Sequence, residues 1–285
     1  MSLIAQKNIL IVGLGLLGGS YAMGLRKKGF HISTITKNQD DIDFALKKGI
    51  IDRGTTEVDP EYIASADIAV FALYPHIFVD WIKENGKYFK KGTIITDVTG
   101  VKGCIVDEIQ NLLPEGVEFI SAHPMAGKEV GGVGNADDRI FQGANYIVVP
   151  TERNTDEAIT ICKQIGFLLG FNDVSVISSQ KHDEMIAFLS QLTHCIAVSL
   201  MCAGEDPELV RYTGDSFRDL TRIAKINEDM WSELFLSNKQ TLLKEMDKYM
   251  ESFERMYDYI KNDDTEGLKE MMRLSTARRS LFDKK

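Results

Sequence analysis

The sequence predicts an α/β protein with an N-terminal, doubly wound parallel sheet of the Rossmann type, followed by an all-helical C-terminal domain. Short apolar runs alternate with helix-like segments up to about residue 177, and a glycine-rich turn follows the first run directly. Beyond residue 178 only helical periodicity remains. The predicted domains are therefore 1–177 and 178–285, and 285 residues suffice for two cores.

Strands in the first domain are predicted from short, apolar and often β-branched runs. These runs are 8–13, 31–36, 68–73, 93–98, 117–122, 145–149 and 173–177. Helical spacing is found between them, for example over 41–48 and 78–91. Strands and helices alternating at this length indicate βαβ units.

The second domain contains a long apolar stripe at helical spacing over residues 229–261. The stripe is interpreted either as the core of a helical domain or, in part, as a dimer interface. Because a small helical domain rarely leaves such a stripe uncovered, we expect a homodimer formed through this domain.

Composition excludes several classes of protein. The formal net charge of −9 argues against nucleic-acid binding, which needs clustered cations. The apolar runs are shorter than the roughly 20 residues of a membrane span, and the first ten residues do not resemble a secretory signal. The four cysteines lack metal-binding spacing, so we expect no metal, and reduced, mostly buried thiols in a cytoplasmic protein.

A GxGxxG motif follows the first predicted strand and opens a helix, which is the context of a dinucleotide-binding turn. Gly13 permits the tight turn, Gly15 allows the backbone to approach a pyrophosphate, and Gly18 allows close helix–strand packing. The free N–H groups at the helix start attract the anion. The predicted cofactor-binding residues are Gly13, Leu14, Gly15, Leu16, Leu17 and Gly18, with Ala72 and Leu73 at the end of another strand.

The second strand normally ends in a carboxylate that binds the ribose of NAD. In this chain the corner reads Thr36-Lys37-Asn38, a hydroxyl, a cation and an amide that suit a 2′-phosphate. NADP is therefore predicted to be preferred over NAD. In the alternative, Lys37 is a solvated turn residue and NAD binds through Asp40 or Asp41.

Four further motifs occur in a fixed order along the chain. They are DVTGVKG at 97–103, HPMAGKE at 123–129, HDEMIAFLSQLTH at 182–194, and DLTRIA at 219–224 followed by Trp231. In this combination the chain resembles prephenate/arogenate dehydrogenases of the TyrA type, among the 6-phosphogluconate-dehydrogenase-like enzymes. The resemblance covers nearly the whole chain. It implies NAD(P)-dependent oxidative decarboxylation of prephenate to 4-hydroxyphenylpyruvate in tyrosine biosynthesis, or of arogenate to tyrosine.

The resemblance also implies roles for individual residues. His123 matches the catalytic histidine, and its imidazole suits transfer of the substrate's hydroxyl proton. Arg222 matches the arginine that binds a substrate carboxylate, although an ion pair with Asp219 is the plain alternative. His194 is assigned to the substrate side chain or, alternatively, to the helical core.

Three more residues are predicted around the substrate. Trp231 shapes the pocket or belongs to the core, and Glu129 and Asp219 support Arg222 or His194, unless they only cap helices. The chain departs from the family pattern at Gly100, where serine is common, and Thr99 is the predicted catalytic substitute. It also has Gln191 and Thr193 where histidine and proline are common.

Two other functions fit the glycine-rich turn but not the rest of the pattern. A β-hydroxyacid or imine reductase of the same superfamily typically places a lysine on the interdomain helix, where this chain has His182 and His194. A non-catalytic, NADP-sensing protein would have apolar residues in place of His123 and Arg222.

Overall fold

The computed structural model describes residues 7–128 and 130–283, and it confirms the predicted fold class. Six parallel strands form the first sheet in the order β3-β2-β1-β4-β5-β6. They are β1 (Asn8–Val12), β2 (His31–Ile35), β3 (Arg53–Thr55), β4 (Ile68–Phe71), β5 (Ile94–Asp97) and β6 (Glu118–Phe119). The strand order reverses between β1 and β4, and ligands of such sheets bind at this point, beyond the carboxyl ends of the strands.

Helices connect these strands and cover both faces of the sheet. They are α1 (Leu16–Lys27), α2 (Gln39–Lys47), α3 (Pro60–Ser65), α4 (Pro75–Asn85) and α5 (Val106–Leu112). Along β1, Ile9 and Ile11 belong to one buried cluster whereas Leu10 and Val12 belong to another. Because successive side chains of a strand point to opposite faces, a strand buried on both faces is apolar throughout. This explains the continuous apolar runs in the sequence.

A second, three-stranded sheet is formed by β7 (Ser121–Pro124), β8 (Asn145–Val149) and β9 (Asp173–Val176), with helix α6 (Asp156–Leu169) between the last two strands. Strand β8 is antiparallel to β7 and parallel to β9. The sequence predicts one strand over 117–122, but the chain passes from the first sheet to the second at Ile120. Both halves of this run contain buried apolar residues, Val117 and Phe119 before the change and Ala122 after it, so apolar patterning alone does not reveal the change of sheet.

The helical region begins with α7 (Ser179–Ile186), a π-helical turn (Ala187–Gln191) and α8 (Leu192–Ala203). It continues with α9 (Asp215–Thr221), a 3-10 turn (Arg222–Ala224), α10 (Glu228–Ser237), α11 (Lys239–Lys261) and α12 (Thr265–Arg279). The helix predicted over 229–261 is interrupted at Asn238. Its buried side-chain amide donates to the Asp183 carbonyl and the Gln191 side chain, both at 2.9 Å. These bonds tie the chain to α7 at the break.

The described chain divides into two compact units, the first ending at Asn238 and the second beginning at Lys239. The second unit contains α11 and α12, and Asp264 caps the start of α12 by accepting the Gly267 N–H at 2.9 Å. The predicted domain boundary at residue 178 stays a prediction.

Two expectations from composition need correction. The segment Ser179–Ala203 is long enough to span a membrane and has a mean hydropathy of 1.7 in its most apolar window, so the sequence contains a longer apolar segment than expected. It also contains His182 and Asp183, whose side chains are buried against the rest of the first unit. All four cysteines are free as predicted, but only Cys162 is fully buried, and Cys104 and Cys202 are exposed.

Candidate active site

The glycine-rich turn between β1 and α1 has the steric properties of a dinucleotide cradle. Gly13 has a φ of +91°, and a Cβ there would lie 2.6 Å from the Ala72 carbonyl oxygen. A Cβ on Gly18 would lie only 2.0 Å from the Gly13 carbonyl oxygen. A Cβ on Gly15 would meet nothing within 4 Å. Gly13 and Gly18 are therefore required by the protein's own packing, whereas Gly15 faces open space that a pyrophosphate can enter.

The start of α1 offers a complementary electrostatic site. No side chain caps this helix at Gly15, and its first turn contains no acidic residue. The amino end of a helix carries a partial positive charge and free N–H groups, and it binds phosphate when nothing else satisfies them. Together with the open space at Gly15, this arrangement fits a dinucleotide.

The three residues after β2 have different surroundings. Thr36 accepts the Leu14 N–H on its hydroxyl at 3.3 Å and so supports the glycine-rich turn. Asn38 caps α2 by accepting the Asp40 N–H at 3.0 Å. Lys37 is exposed. Thr36 and Asn38 each use a side-chain oxygen as an acceptor in these bonds, so the Thr36 hydroxyl proton and the Asn38 amide N–H groups can still donate, and Lys37 is the cation of this corner.

A buried ion pair lies at the carboxyl end of β5. The Lys102 ammonium lies 2.8 Å from the Asp97 carboxylate, and both side chains are fully shielded from solvent. Asp97 also accepts the Ser121 hydroxyl at 2.7 Å and the Ala122 N–H at 2.9 Å, and Lys102 donates to the Ala122 carbonyl at 2.6 Å. Burial lowers the pKa of Lys102, and Asp97 opposes this shift. The pair therefore fixes the backbone of β7 one residue before His123.

Thr99 belongs to the same buried cluster. Its hydroxyl donates to Asp97, and its backbone N–H donates to the same carboxylate at 3.0 Å. A hydrogen bond donated by this hydroxyl to the substrate therefore requires that its bond to Asp97 be broken.

His123 lies within β7 rather than after it, and it is the first member of a chain of three side chains. Its Nδ1 lies 2.9 Å from Nε2 of His182, and Nδ1 of His182 lies 2.7 Å from Oδ1 of Asp183. Asp183 also accepts the N–H groups of Lys102, at 3.0 Å, and Gly103, at 2.7 Å. A Cβ on Gly103 would lie 2.9 Å from the Asp183 carboxylate, so glycine permits this close approach.

His123 and His182 are both held in the neutral form. Burial lowers the pKa of His123 well below its ordinary value, and the neighbouring His182 and Lys102 lower it further. Burial also lowers the pKa of His182, although the hydrogen bond to Asp183 opposes the shift. A neutral imidazole retains one nitrogen that accepts a proton, which is the state that a general base requires.

Helix α10 lies beside His123. A Cβ on Gly100 would lie 3.4 Å from the Leu234 side chain and 4.0 Å from the His123 ring, so Gly100 lies next to both residues. Gln191 donates to the Leu234 carbonyl at 2.8 Å, which joins α10 to the π-helical turn. The missing serine hydroxyl at position 100 would thus lie next to the imidazole.

His194 and Trp231 stack, with ring centroids 3.7 Å apart and planes inclined by 29°. The His194 Nδ1 lies 2.9 Å from the Ser190 carbonyl oxygen, which therefore accepts a hydrogen bond from this nitrogen. Trp231 lies on α10, the helix that also carries Leu234. The structure thus places His194 and Trp231 together, and α10 extends from them to the neighbourhood of His123.

The remaining predicted residues lie on the helical side. Arg222 is exposed in the 3-10 turn that packs against α8, and Asp219 is exposed on α9. Glu129 lies outside the described residues. Their approach to His123 stays a prediction.

Sequence reasoning did not assign roles to Asp97, Lys102, His182 and Asp183. The sequence does contain a signal, because Asp97 ends a buried strand and is followed five residues later by Lys102, and because His182 and Asp183 lie at the start of an apolar helix. Their mutual partners were not predictable, since the residues are separated by as many as 86 positions along the chain.

Comparison with known protein families gives matches along almost the whole chain. Residues 21–177 match the nucleotide-binding domain of prephenate dehydrogenase, and residues 178–274 match the dimerization domain of prephenate dehydrogenase. A prephenate dehydrogenase from Bacillus subtilis is 30% identical over 92% of this chain and 72% of its own length. A cyclohexadienyl dehydrogenase from Zymomonas mobilis is 26% identical over 96% of this chain and 95% of its own.

A solved structure gives a similar result. The prephenate dehydrogenase of A. aeolicus, in complex with hydroxyphenyl propionate and NAD+, superposes with a TM-score of 0.90 and 29% identity. The match covers 99% of this chain and 100% of that one. The Synechocystis arogenate dehydrogenase has the same fold, with a TM-score of 0.83 at 24% identity over 97% and 100% of the two chains.

Proposed function

Because the chain belongs to the prephenate dehydrogenase family, we propose that it oxidatively decarboxylates prephenate to 4-hydroxyphenylpyruvate in tyrosine biosynthesis, with a nicotinamide dinucleotide as oxidant. The observation that carries this proposal is the neutral His123 imidazole, held on β7 by the Asp97–Lys102 pair at the carboxyl end of the parallel sheet. The glycine-rich turn at the carboxyl end of β1 supplies the cofactor cradle.

The bound dinucleotide supplies the hydride acceptor. His123 accepts the proton of the ring hydroxyl as the hydride leaves the same ring carbon, so that a carbonyl forms there. The bond to the ring carboxylate then breaks, and its electron pair makes the ring aromatic as carbon dioxide departs. His123 returns the proton to the oxygen, which becomes the phenol. No net proton is left on the protein.

The substrate carries two carboxylates, and we propose that Arg222 binds one of them. His194 and Trp231, which stack on one another, are proposed to contact the substrate side chain. Glu129 and Asp219 are proposed to support these residues, and Gly100 and Thr99 to lie near the reacting hydroxyl. The domain with these helical residues is proposed to begin at residue 178.

Prephenate is preferred over arogenate in this proposal because two relatives that are 30% and 29% identical to this chain, from Bacillus subtilis and Lactococcus lactis, carry the name prephenate dehydrogenase. The two substrates differ in a keto group against an ammonium group. Kinetics with both substrates decide between them.

For the cofactor, we propose that NADP is used in preference to NAD. Lys37 is exposed at the corner after β2, where a carboxylate that would repel a 2′-phosphate is missing from the sequence. Thr36 and Asn38 support the fold of this corner through their oxygens and keep N–H and O–H donors, whereas Lys37 supplies the positive charge.

We also propose that the protein is a cytoplasmic homodimer. The family model that matches residues 178–274 describes a dimerization domain. Helix α11 has an exposed apolar stripe at helical spacing, formed by Met250, Phe253, Tyr257 and Ile260. A stripe of this kind favours an interface with a second copy.

The test is to mix purified protein with NADP or NAD and with prephenate or arogenate, and to follow the absorbance of the reduced nicotinamide. We expect oxidation of prephenate. The His123→Asn variant should lose about 100-fold or more of kcat while it still binds the dinucleotide. Arg222→Ala should mainly raise KM for prephenate, because a carboxylate clamp acts in the ground and transition states alike. Inactivity of the wild-type protein towards both substrates would overturn the proposal.

A further inference from the structure

The contacts among His123, His182 and Asp183 restrict how their protons are distributed. Asp183 accepts two backbone N–H groups, at 3.0 and 2.7 Å, so its carboxylate acts as an acceptor in this cluster. Nδ1 of His182, at 2.7 Å from Oδ1, must therefore carry the proton that this bond shares. The tautomer of His182 is fixed by its acidic neighbour.

The tautomer of His182 determines the tautomer of His123. A neutral His182 with a proton on Nδ1 has only a lone pair on Nε2. That lone pair lies 2.9 Å from Nδ1 of His123, so His123 must donate from Nδ1. A neutral His123 then has its lone pair on Nε2, the nitrogen that makes no hydrogen bond within the described residues.

We propose that His182 and Asp183 are positioning residues which hold His123 in the tautomer with a bare Nε2 and aim that nitrogen at the substrate's hydroxyl. This inference rests on the proposed function for its catalytic consequence, although the proton arrangement exists in the free protein. In the other tautomer, Nε2 would carry a proton and could not accept one from the substrate.

The contacts of the His182–Asp183 dyad support this positioning role. His182 is completely buried and Asp183 nearly so, and Asp183 is held by backbone N–H groups of the loop after β5 rather than by mobile side chains. The same loop supplies Lys102, which holds the Ala122 carbonyl immediately before His123. The orientation of the imidazole is therefore set from its ring nitrogen and from its backbone, by residues of the same loop.

The first experiment is long-range ¹H–¹⁵N NMR of the histidine rings in the free wild-type protein at neutral pH, with the His123 signals assigned by their loss in His123→Asn. We expect a protonated Nδ1 and a bare Nε2 on His123. A protonated Nε2, or an average of both tautomers, would overturn the inference whatever the protein's substrate is. A wild-type protein with the expected tautomer but no activity towards prephenate or arogenate would instead contradict the proposed function alone.

The second experiment compares His182→Phe and His182→Gln by kinetics. Phenylalanine cannot accept from His123, and we expect kcat to fall about 10- to 100-fold with KM for the dinucleotide unchanged. Glutamine can donate to Asp183 and accept from His123, so it should restore part of kcat and the His123 tautomer. The matched control is His31→Gln, at an exposed position of β2, which should behave as wild type. If phenylalanine leaves kcat unchanged, or if glutamine and phenylalanine give equal losses with an unaltered His123 tautomer, the dyad has no positioning role.

Should His182→Phe fail to fold, the glutamine variant and the wild-type NMR spectrum still decide the question. A glutamine variant with mixed His123 tautomers and wild-type kcat would show that the tautomer does not control the reaction.

Discussion

The Lys102 ammonium and the Asp97 carboxylate are 2.8 Å apart, both wholly buried, and together they hold the two backbone groups of Ala122: Asp97 accepts its N–H and Lys102 donates to its carbonyl. A charge pair in this position joins β5 to β7 at the residue that precedes His123. Removing Lys102 leaves the Asp97 charge buried without its counter-ion, although its hydrogen bonds to Thr99, Ser121 and Ala122 remain, and breaking a buried pair in this way is strongly destabilising.

Replacing Lys102 by methionine should therefore lower the free energy of unfolding by about 3–5 kcal/mol. Denaturant unfolding at neutral pH measures the change. The control is Lys90→Met, which removes a partly exposed ion pair with Asp67 at 2.7 Å and should cost at most about 1 kcal/mol. Equal effects of the two substitutions would contradict the importance of burial at Lys102.

The lowered pKa values of His123 and His182 predict a pH dependence of stability. Unfolded histidines titrate near their ordinary pKa, whereas these two stay neutral to lower pH in the folded protein, so the unfolded state binds more protons below that pKa. The contribution of these two histidines to the free energy of unfolding should be constant above about pH 7 and fall as the pH drops towards 5, by up to about 1.4 kcal/mol per pH unit for each histidine.

Substitutions of single histidines show which residue causes the pH dependence of the free energy of unfolding. His182→Gln should reduce the slope between pH 7 and 5, and His31→Gln, which removes an exposed histidine, should leave it unchanged. The same shift places the acid limb of kcat/KM below the ordinary histidine pKa. Stability that rises on acidification in this range would show that the histidines are charged in the folded protein.

The glycine-rich turn provides a pair of substitutions with opposite expectations. Gly15→Ala places its Cβ in open space, so the free energy of unfolding should change by no more than about 1 kcal/mol, but KM for the dinucleotide should rise roughly tenfold or more. Gly18→Ala places its Cβ 2.0 Å from the Gly13 carbonyl and should destabilise the fold itself, by about 1–3 kcal/mol or more. Calorimetry and cofactor titration separate the two effects. Normal cofactor affinity in Gly15→Ala would exclude this turn as the pyrophosphate site.

The proposed NADP preference predicts that Lys37→Ala lowers kcat/KM for NADP about tenfold, which corresponds to one lost charge-assisted hydrogen bond, and leaves the value for NAD unchanged. The control is Lys28→Ala, at an exposed lysine after the end of α1. A wild-type protein that strongly favours NAD would contradict the preference and would favour ribose binding by Asp40 or Asp41 in the first turn of α2.

The sequence was sufficient for the fold class and for the glycine-rich turn because both depend on local patterns: apolar runs, helical spacing and the position of Gly13 after β1. It was insufficient where two distant segments decide the structure. The change of sheet at Ile120 depends on Asp97, which binds Ser121 and Ala122. The break at Asn238 depends on Asp183 and Gln191 in another helix.

In the candidate site, too, contacts between distant segments could not be predicted from the sequence. Motifs identified His123, but the partners of its ring, His182 and Asp183, are 59 and 60 positions away along the chain. Thr99 illustrates the opposite case, a residue whose position suggested a contact with substrate but whose hydroxyl donates to a buried carboxylate. Short-range spacing does not show which of several polar groups a hydroxyl will reach.

The apolar stripe of α11 predicts how dimerisation can be disrupted. Phe253 and Tyr257 are about 60% exposed on this helix, and burying such rings against a second copy removes a large apolar area from water. Two charges in their place, Phe253→Glu with Tyr257→Glu, should weaken the dimer at least about tenfold in Kd, because burying an unpaired carboxylate is costly. Sedimentation velocity over a range of concentrations measures the equilibrium. Lys248→Glu lies on the opposite face of α11 and should leave the dimer intact, whereas an unchanged Kd in the double variant would exclude this face of α11 from the interface.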